Sequence, residues 1–282
     1  MSIFSSIFGG GYNRPGPGVR PDEPRKKGFM RLLEILGRDF WSFFKAGLLA
    51  YVSMLPFLFG MILAVQTHAL IFVFAAGLIG GMIAAPQICG MADTVLRSLR
   101  DEPGYWWVTY RRAWKRNARS CLLPGAVFGL ILGMQIFTLF HMDTLGTSVV
   151  AWTILIAGIV LVTGLMTYVV PQLALLDMPL PGILKNAILL FLGYLPRSVG
   201  ALAVQAVYWG LFLLFFPLSM YILPFTNLWL PMVPSLLIIY APMEKSFNLE
   251  ATIKQMRDSQ LENSRNMESS ASADSDNHTA SV

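Results

Sequence analysis

Six long apolar runs govern what this chain of 282 residues can fold into. Each run approaches the ~20 residues that a helix needs to cross the hydrocarbon core of a bilayer, and no Asp, Glu, Lys or Arg stands inside any of them. Charged residues make up 13% of the chain, about half of the share typical of soluble domains. The sequence therefore predicts an all-α integral membrane protein, a six-helix transmembrane bundle. The predicted spans are residues 46–65, 69–90, 121–140, 148–170, 198–217 and 221–241.

The positive charges predict the orientation of this bundle. We assign the connections between spans alternately to the two sides of the membrane, starting with the N-terminus inside. All 21 Lys and Arg residues then lie on the inner side and none on the outer side. Short loops rich in Lys and Arg stay in the cytoplasm, so both termini are expected there. The formal charge of +5 thus indicates the anionic headgroups of the lipid bilayer as partners, and no nucleic acid.

Three segments outside the spans have compositions of their own. Residues 1–28 form a basic arm rich in Gly and Pro, a composition that prevents regular structure. Residues 91–120 form the largest cytoplasmic loop, and residues 246–282 form a tail rich in Ser, Asn and Asp. A tail with so few bulky apolar residues is expected to be mostly disordered. The domain organisation is therefore an arm, a membrane domain of residues 29–245 and a cytoplasmic tail.

Two segments beside the spans predict helices that lie along the membrane surface. In residues 29–45 a narrow charged stripe interrupts an otherwise apolar helix, which is typical of an interfacial helix. Residues 104–119 place aromatic rings on one helix face and cations on the others, so we expect them to face lipid headgroups, with a partner protein as the alternative. A third, shorter surface helix is expected near residues 181–195. The stripe consists of Arg31, Glu34, Arg38 and Lys45. The candidate contact residues of the second helix are Trp107, Tyr110, Arg112, Trp114, Lys115 and Arg116.

Glycines recur at four-residue steps in the second and third spans. Gly77 and Gly81 lie on one face of the second span, and Gly125, Gly129 and Gly133 lie on one face of the third. Small residues at this spacing allow the backbones of neighbouring helices to approach closely. We therefore expect these two helices to form the most tightly packed pair of the bundle.

Few polar side chains lie within the spans. Gln135, Gln205, Thr163 and Thr167 are the candidates for lining the path of a neutral solute, because amides and hydroxyls both donate and accept hydrogen bonds. The interpretation that we favour is hydrogen bonding between helices. Counted from the inner side, Gln135 and Gln205 differ in depth by ~10 Å at a rise of about 1.5 Å per residue. A site that both residues share is therefore not expected.

The sequence predicts no catalytic, cofactor-binding or metal-binding residues. Cys89 and Cys121 map to the inner ends of their helices, where thiols normally stay reduced, and are interpreted as buried thiols. His68, His141 and Asp143 map to the outer side, where two imidazoles and a carboxylate could in principle bind a metal. No pair of them has the spacing of one helical turn, so we expect histidines that face solvent. No motif in the chain resembles a catalytic constellation.

Five short motifs are similar to those of a known family. They are Gly16-Pro17-Gly18-Val19 and Pro24-Arg25-Lys26-Lys27 in the arm, Phe40-Trp41 in the first surface helix, Tyr110-Arg111-Arg112-Ala113-Trp114-Lys115-Arg116-Asn117 in the large loop, and Leu195-Pro196-Arg197 before the fifth span. In these motifs the chain resembles the YesL-like family of bacterial membrane proteins, whose function is unknown. The resemblance implies the bacterial cytoplasmic membrane as location and carbohydrate ABC transport as context. It implies no catalytic residues.

On this basis we expect a non-enzymatic accessory or regulatory component associated with carbohydrate uptake. ABC-importer subunits, or a second copy of the chain, are the expected protein partners. The alternative is a self-sufficient transporter or channel for a small neutral solute, which requires a continuous polar path between helices. An intramembrane enzyme is the least favoured hypothesis, because it requires clustered ionisable residues that the spans do not contain.

Overall fold

The computed structural model of the protein describes residues 25–102, 104–142, 148–176 and 178–251, together with residues 255 and 259. Asp143, most of the predicted arm and most of the predicted tail lie outside the described residues. Within the described residues all regular structure is helical. Eight helices have both ends described when the consecutive segments of Leu70–Leu99 are counted as one, and residues 249–251, 255 and 259 are also helical. In chain order the eight helices are α1 (Gly28–Thr67), α2 (Leu70–Leu99), α3 (Trp106–Phe140), α4 (Val149–Leu175), α5 (Leu180–Gly193), α6 (Leu195–Leu214), α7 (Ser219–Thr226) and α8 (Trp229–Phe247).

Five of the described helices are long and apolar enough to cross a membrane, namely α1, α2, α3, α4 and α6. A sixth crossing requires α7 and α8 together, and these two helices are bent by 54° relative to each other at a short break. Such a pair is either a broken span or a re-entrant segment. An all-helical chain compatible with a multi-pass membrane protein is therefore confirmed, and the sixth full crossing stays a prediction.

Helices α1 and α3 each join a predicted surface segment to a predicted span. Residues 29–45 continue into residues 46–65 without a break, since α1 runs for 40 residues. Residues 106–119 likewise continue into α3, which runs for 35 residues. At about 1.5 Å per residue α1 is ~60 Å long, twice the ~30 Å thickness of the hydrocarbon core. Both surface segments are therefore continuous with the helices that contain the predicted spans.

The glycine faces of α2 and α3 meet, as the sequence predicts. A Cβ on Gly77 would lie 2.6 Å from the Cα of Leu130, and a Cβ on Gly129 would lie 2.9 Å from the Cα of Gly81. Gly81 and Gly125 each face the backbone carbonyl of the other. The contact lies beside a π-helical turn of α2, Ala76–Gly80. Because these backbones touch, no larger residue fits in this interface without moving the helices apart.

The buried core is concentrated at one end of the bundle, which we call the basic end. This end contains the start of α1 and the described residues between α2 and α3, which are 100–102 and 104–105. Five helices contribute fully buried side chains there: Phe43, Met91, Tyr168, Ile183 and Ile239. A smaller, separate cluster around Phe57 and Val73 lies further along α1 and α2. The basic end is therefore the best-packed part of the described residues.

Candidate functional site at the basic end

Asp101, just after the end of α2, is hydrogen-bonded to three arginines. It accepts hydrogen bonds from Arg25 Nε at 3.0 Å, Arg31 Nη2 at 2.7 Å and Arg38 Nη1 at 2.5 Å. We call these four residues the Asp101 cluster. The side chain of Arg31 is only 5% exposed, so this member of the charged stripe of α1 faces the protein, whereas Lys45 at the other end of the stripe is exposed. Asp101 and the last carbonyls of α2 lie against Arg31 and Arg38.

The Asp101 carboxyl is stabilised as an anion. Partial burial raises its pKa, but hydrogen bonds from Arg38 and Arg31, together with the charges of these arginines, outweigh that effect. The net result is a pKa below the ordinary value of an aspartic acid. Asp101 is therefore ionised throughout the physiological pH range and holds α1 against the end of α2.

The same arginines complete the backbone hydrogen bonding at the end of α2. Arg31 Nη2 donates to the carbonyl of Leu99 at 3.1 Å, and Arg38 Nη2 donates to the carbonyl of Ser98 at 2.7 Å. The last carbonyls of a helix have no partner within the helix, so these bonds cap α2. Arg25 Nη1 also donates to Glu250 at 2.5 Å, and this bond connects the segment after α8 to the Asp101 cluster.

Several large apolar side chains near the start of α1 are exposed. Phe29 and Trp41 are each 69% exposed, and Met30 and Leu33 are also exposed. These residues precede position 46, where the first predicted span begins. We call Phe29, Met30, Leu33 and Trp41 the α1 apolar strip. It is a fixed surface, because the Asp101 cluster holds the opposite face of the same helix.

The six candidate contact residues of α3 divide into two groups. Tyr110 is buried and donates its hydroxyl hydrogen to Gln87 Oε1 at 2.6 Å, while Arg116 Nη2 donates to the carbonyl of Ala174 at 2.6 Å. Tyr110 therefore differs from the expectation of outward contact, whereas Arg116 bonds to α4 while its side chain stays 43% exposed. The other group keeps an outward position: Trp107, Arg112 and Lys115 are exposed, and Trp114 is half-buried.

Asp93 is a buried charge that the hydropathy pattern does not single out. It is 1% exposed and accepts a hydrogen bond from Arg97 Nε at 2.7 Å. Its Oδ1 has no hydrogen-bond partner among the described residues, and Arg116 Nη2 lies 3.8 Å from it. The acidic residues within the otherwise basic loop 91–120 are the one sequence signal that marks Asp93 and Asp101.

An apolar groove of about 350 Å³ lies between α2 and α3. Met82 and Ile83 of α2 and Leu122 of α3 line one part of it, and Trp114 and Arg119 of α3 line another. Arg119 is exposed and makes no hydrogen bond or ion pair with any described residue. The groove thus combines an apolar wall with one free guanidinium.

The polar residues of the predicted spans do not converge on one place. Gln205 Nε2 donates to Ser235 Oγ at 3.3 Å between α6 and α8. Gln135 lies between α3 and α4, where its amide faces Gly158. Thr167 donates its hydroxyl hydrogen to the carbonyl of Thr163 at 2.8 Å, within α4. Gln205 therefore bonds between two helices, whereas the bond of Thr167 stays within α4.

The cysteines and histidines each form a pair that their sequence positions do not show. Cys89 Sγ and Cys121 Sγ are 2.8 Å apart, and both thiols are free and buried. His141 Nε2 lies 2.7 Å from His68 Nδ1, where the end of α3 meets the turn between α1 and α2. His141 is buried, so the expectation that it faces solvent is wrong. No group of three or more His, Cys, Asp or Glu residues suited to a metal occurs among the described residues.

The fold and the basic end define the class of this protein as a helical chain with several apolar, membrane-compatible helices and one charged, well-packed end. No protein-family model matches the chain, and no curated protein or solved structure matches it either. The resemblance to the YesL-like family therefore stays a prediction.

Proposed function

We propose that this protein is a non-enzymatic accessory or regulatory component of a carbohydrate uptake system in the bacterial cytoplasmic membrane. In this role it binds a protein partner through its cytoplasmic end. The observation that supports the proposal is the α1 apolar strip, because it lies on an extension of a membrane helix rather than within the span. The orientation with both termini in the cytoplasm is part of the proposal, and it rests on the distribution of Lys and Arg.

The length of α1 explains why the strip needs a partner. Its 40 residues extend over ~60 Å at about 1.5 Å per residue, and the hydrocarbon core takes up ~30 Å of that. Residues 28–45 therefore project about 27 Å beyond the first predicted span. Large apolar side chains exposed outside the membrane mark interaction sites more often than free surface. A protein partner at the cytoplasmic surface would remove them from water.

The identity of the partner rests on the resemblance described above. The YesL-like family implies a context of carbohydrate ABC transport, so permease or ATPase subunits of an ABC importer are the proposed partners. A second copy of the chain is the competing occupant of the same strip. Importer subunits and a second copy of the chain are distinguished by which proteins co-purify with the tagged protein.

A self-sufficient transporter or channel for a small neutral solute is the second candidate. It requires polar side chains that converge on one path through the helices. Gln135 and Gln205 lie at different helix contacts, and Gln205 is already bonded to Ser235. The positions of these residues therefore give the transport hypothesis less support than the α1 apolar strip gives the accessory role. Flux of radiolabelled neutral solutes into proteoliposomes tests it directly.

The accessory role is tested by purifying the tagged protein from native membranes in mild detergent and quantifying the co-purified proteins by mass spectrometry. The wild type is expected to recover ABC-importer permease or ATPase subunits in stoichiometric amount. A double variant, Phe29→Ala with Leu33→Ala, removes two side chains of one helix face and is expected to lose them. Phe59→Ala is the matched control, because Phe59 is exposed on the same helix but within the predicted span.

Two results would count against the proposal. Recovery of the chain alone, or only with other copies of itself, would exclude an importer as the stable partner. Equal recovery of importer subunits by the wild type and the double variant would exclude the α1 apolar strip as their binding surface. Retention by Phe59→Ala is needed to attribute a loss to the strip rather than to a general effect of truncating an exposed aromatic residue.

A further inference from the structure

The groove between α2 and α3 opens toward the region that the sequence assigns to the bilayer. Met82 and Ile83 belong to the predicted span 69–90, and Leu122 belongs to the predicted span 121–140. Ile83 and Leu122 are exposed in the described structure. The apolar part of the groove therefore faces hydrocarbon chains, and a molecule that occupies it must itself be apolar along this length.

The other part of the groove ends at a positive charge. Arg119 lines the groove just before the predicted span 121–140, at headgroup depth. Its neighbour Arg116 is bound to the carbonyl of Ala174, whereas Arg119 has no partner among the described residues. Arg111, Arg112 and Lys115 of the same helix are likewise exposed and without an acidic partner in the described part of the chain. The site thus has an unneutralised positive charge next to an apolar wall.

We propose that this groove is a binding site for an anionic phospholipid of the inner leaflet. An acyl chain lies against Met82, Ile83 and Leu122, and the headgroup phosphate lies at Arg119. A guanidinium presents donors in a planar fork that matches two phosphate oxygens. The volume of about 350 Å³ is in the ~300–1,000 Å³ range of pockets that hold small molecules. This site does not depend on the proposed accessory role.

A lipid fits this groove better than a protein segment does. The occupant must carry an anionic group at headgroup depth and an apolar portion that continues into the hydrocarbon core. An anionic phospholipid has both parts at this separation in the bilayer that already surrounds the protein. The charge of Arg119 also sets the expected preference, because a zwitterionic lipid brings its own cation to the same position.

The proposal is tested by native mass spectrometry of the delipidated full-length protein in detergent. Phosphatidylglycerol and phosphatidylcholine with the same acyl chains are titrated separately, and the bound lipids are counted. The wild type is expected to bind phosphatidylglycerol more tightly than phosphatidylcholine. Arg119→Gln is expected to weaken phosphatidylglycerol binding about fivefold, the effect of one cation near an anionic surface. Arg111→Gln removes the same charge from the same helix outside the groove, and is expected to change binding less than about twofold.

Two further variants separate a defined site from a general effect of charge. Arg119→Lys keeps the positive charge and is expected to retain the lipid preference. Ala118→Phe fills the groove, which Ala118 lines, and is expected to weaken the binding of both lipids. Excess inorganic phosphate is expected to displace neither lipid, since the acyl chain supplies part of the affinity. Each variant is compared with the wild type by its elution as a single species and by its thermal unfolding.

Three results would overturn the proposal. Equal losses in Arg119→Gln and Arg111→Gln would assign lipid binding to the general positive field of α3. Equal affinity of the wild type for the two lipids would show that Arg119 does not recognise the headgroup. An unchanged lipid count in Ala118→Phe would show that lipids bind outside the groove. If Ala118→Phe unfolds, the comparison of Arg119→Gln, Arg119→Lys and Arg111→Gln still decides the proposal.

Discussion

The side chain of Asn227 lies directly against the Cα of Gly47, so that a Cβ at position 47 would come 2.5 Å from Asn227 Oδ1. Asn227 forms the break between α7 and α8, with a positive φ of 20°. Its Nδ2 donates to the carbonyl of Pro224 at 3.1 Å, and its Oδ1 accepts from the backbone N–H of Trp229 at 3.3 Å. The bend in the last helix pair is therefore packed against a glycine of α1.

A methyl group at position 47 is expected to destabilise the protein. Gly47→Ala forces Asn227 and Trp229 away from α1, and overpacking of this kind costs about 1–3 kcal/mol. Gly37→Ala is the matched control on the same helix, because nothing lies within 4 Å of a Cβ there. The control is expected to leave stability unchanged or raise it by up to ~1 kcal/mol through better helix propensity. The unfolding temperatures of both variants are measured in detergent by tryptophan fluorescence. Equal shifts of this temperature in Gly47→Ala and Gly37→Ala would contradict the packing argument.

The contact between Gly47 and Asn227 also predicts the depth in the membrane of the turn between α6 and α7, which is residues 215–218. Asn227 is level with Gly47, which stands at the inner end of the predicted span 46–65. Leu218 in the turn precedes Asn227 by nine residues, or ~14 Å at helical rise, about half of the ~30 Å core. We therefore expect the turn inside the bilayer, and α6 to α8 as a re-entrant segment. Phe215, Phe216 and Leu218 in this turn are exposed and apolar, which suits hydrocarbon rather than water.

Cysteine labelling distinguishes this arrangement from six full crossings. Cys89 and Cys121 are first replaced by Ala, and a single Cys is placed at Leu218 or, as the control, at Gln66 in the predicted outer turn. A membrane-impermeant maleimide added outside intact cells is expected to label Gln66→Cys and not Leu218→Cys. Equal labelling of both positions would place the turn at the outer surface, as the six-span prediction requires.

The Asp101 cluster is expected to make stability depend on pH in the acid range. The pKa of Asp101 is lowered in the folded state, so its contribution is complete above the unfolded value of about 3.9. The contribution is lost as the pH falls through the lower folded value. Asp101→Asn is expected to reduce stability near neutral pH by about 2–3 kcal/mol, because a buried Arg31 loses a charged acceptor. The difference between wild type and variant should begin to shrink as the pH falls below about 4, and it should be lost once the pH is below the lowered pKa of folded Asp101.

A double-mutant cycle attributes this effect to the cluster. Asp101→Asn and Arg38→Gln are measured singly and together by thermal unfolding. Since Arg38 Nη1 donates to Asp101, the two changes are expected to be non-additive by more than about 0.5 kcal/mol. Strict additivity, or an Asp101→Asn effect that is the same at all pH values, would mean that the carboxylate does not hold α1.

The paired thiols of α2 and α3 are expected to form an intramolecular disulfide when oxidised. Cys89 and Cys121 are free and face each other in the core. A membrane-permeant azo oxidant such as diamide accepts the two electrons and two protons that leave the thiols. Labelling of the denatured protein with a maleimide polymer should then fall from two added groups to none. The Cys89→Ser variant is the control and should keep one reactive thiol; two reactive thiols after oxidation of the wild type would show that the sulfurs do not meet.

The described helices agree well with predictions from local sequence. Apolar runs of spanning length identify α1, α2, α3, α4 and α6, because each residue in a membrane helix meets the same apolar solvent. The glycine steps correctly predict that α2 and α3 approach closely, since a missing side chain permits backbone contact wherever a neighbouring helix has the same feature. Both arguments need only the chain itself.

Local sequence predicts less of the candidate site than of the helices. A stripe of charges on an apolar helix predicts that the two faces meet different surroundings, but not which surroundings each face meets. Arg31 turned inward because Asp101, 70 residues later in the chain, provides a buried acceptor. Tyr110 turned inward for the same reason, because Gln87 provides its acceptor.

By itself the sequence determined the helical class, the apolar helices and the segregation of positive charge, because hydropathy and helical period are properties of neighbouring residues. Tertiary structure alone decided which face of α1 is exposed, which cations are neutralised and where the last helix pair bends. These outcomes depend on contacts such as Arg31 with Asp101 and Gly47 with Asn227. Each contact joins residues that are distant in the chain, and its energy exists only once the helices have packed.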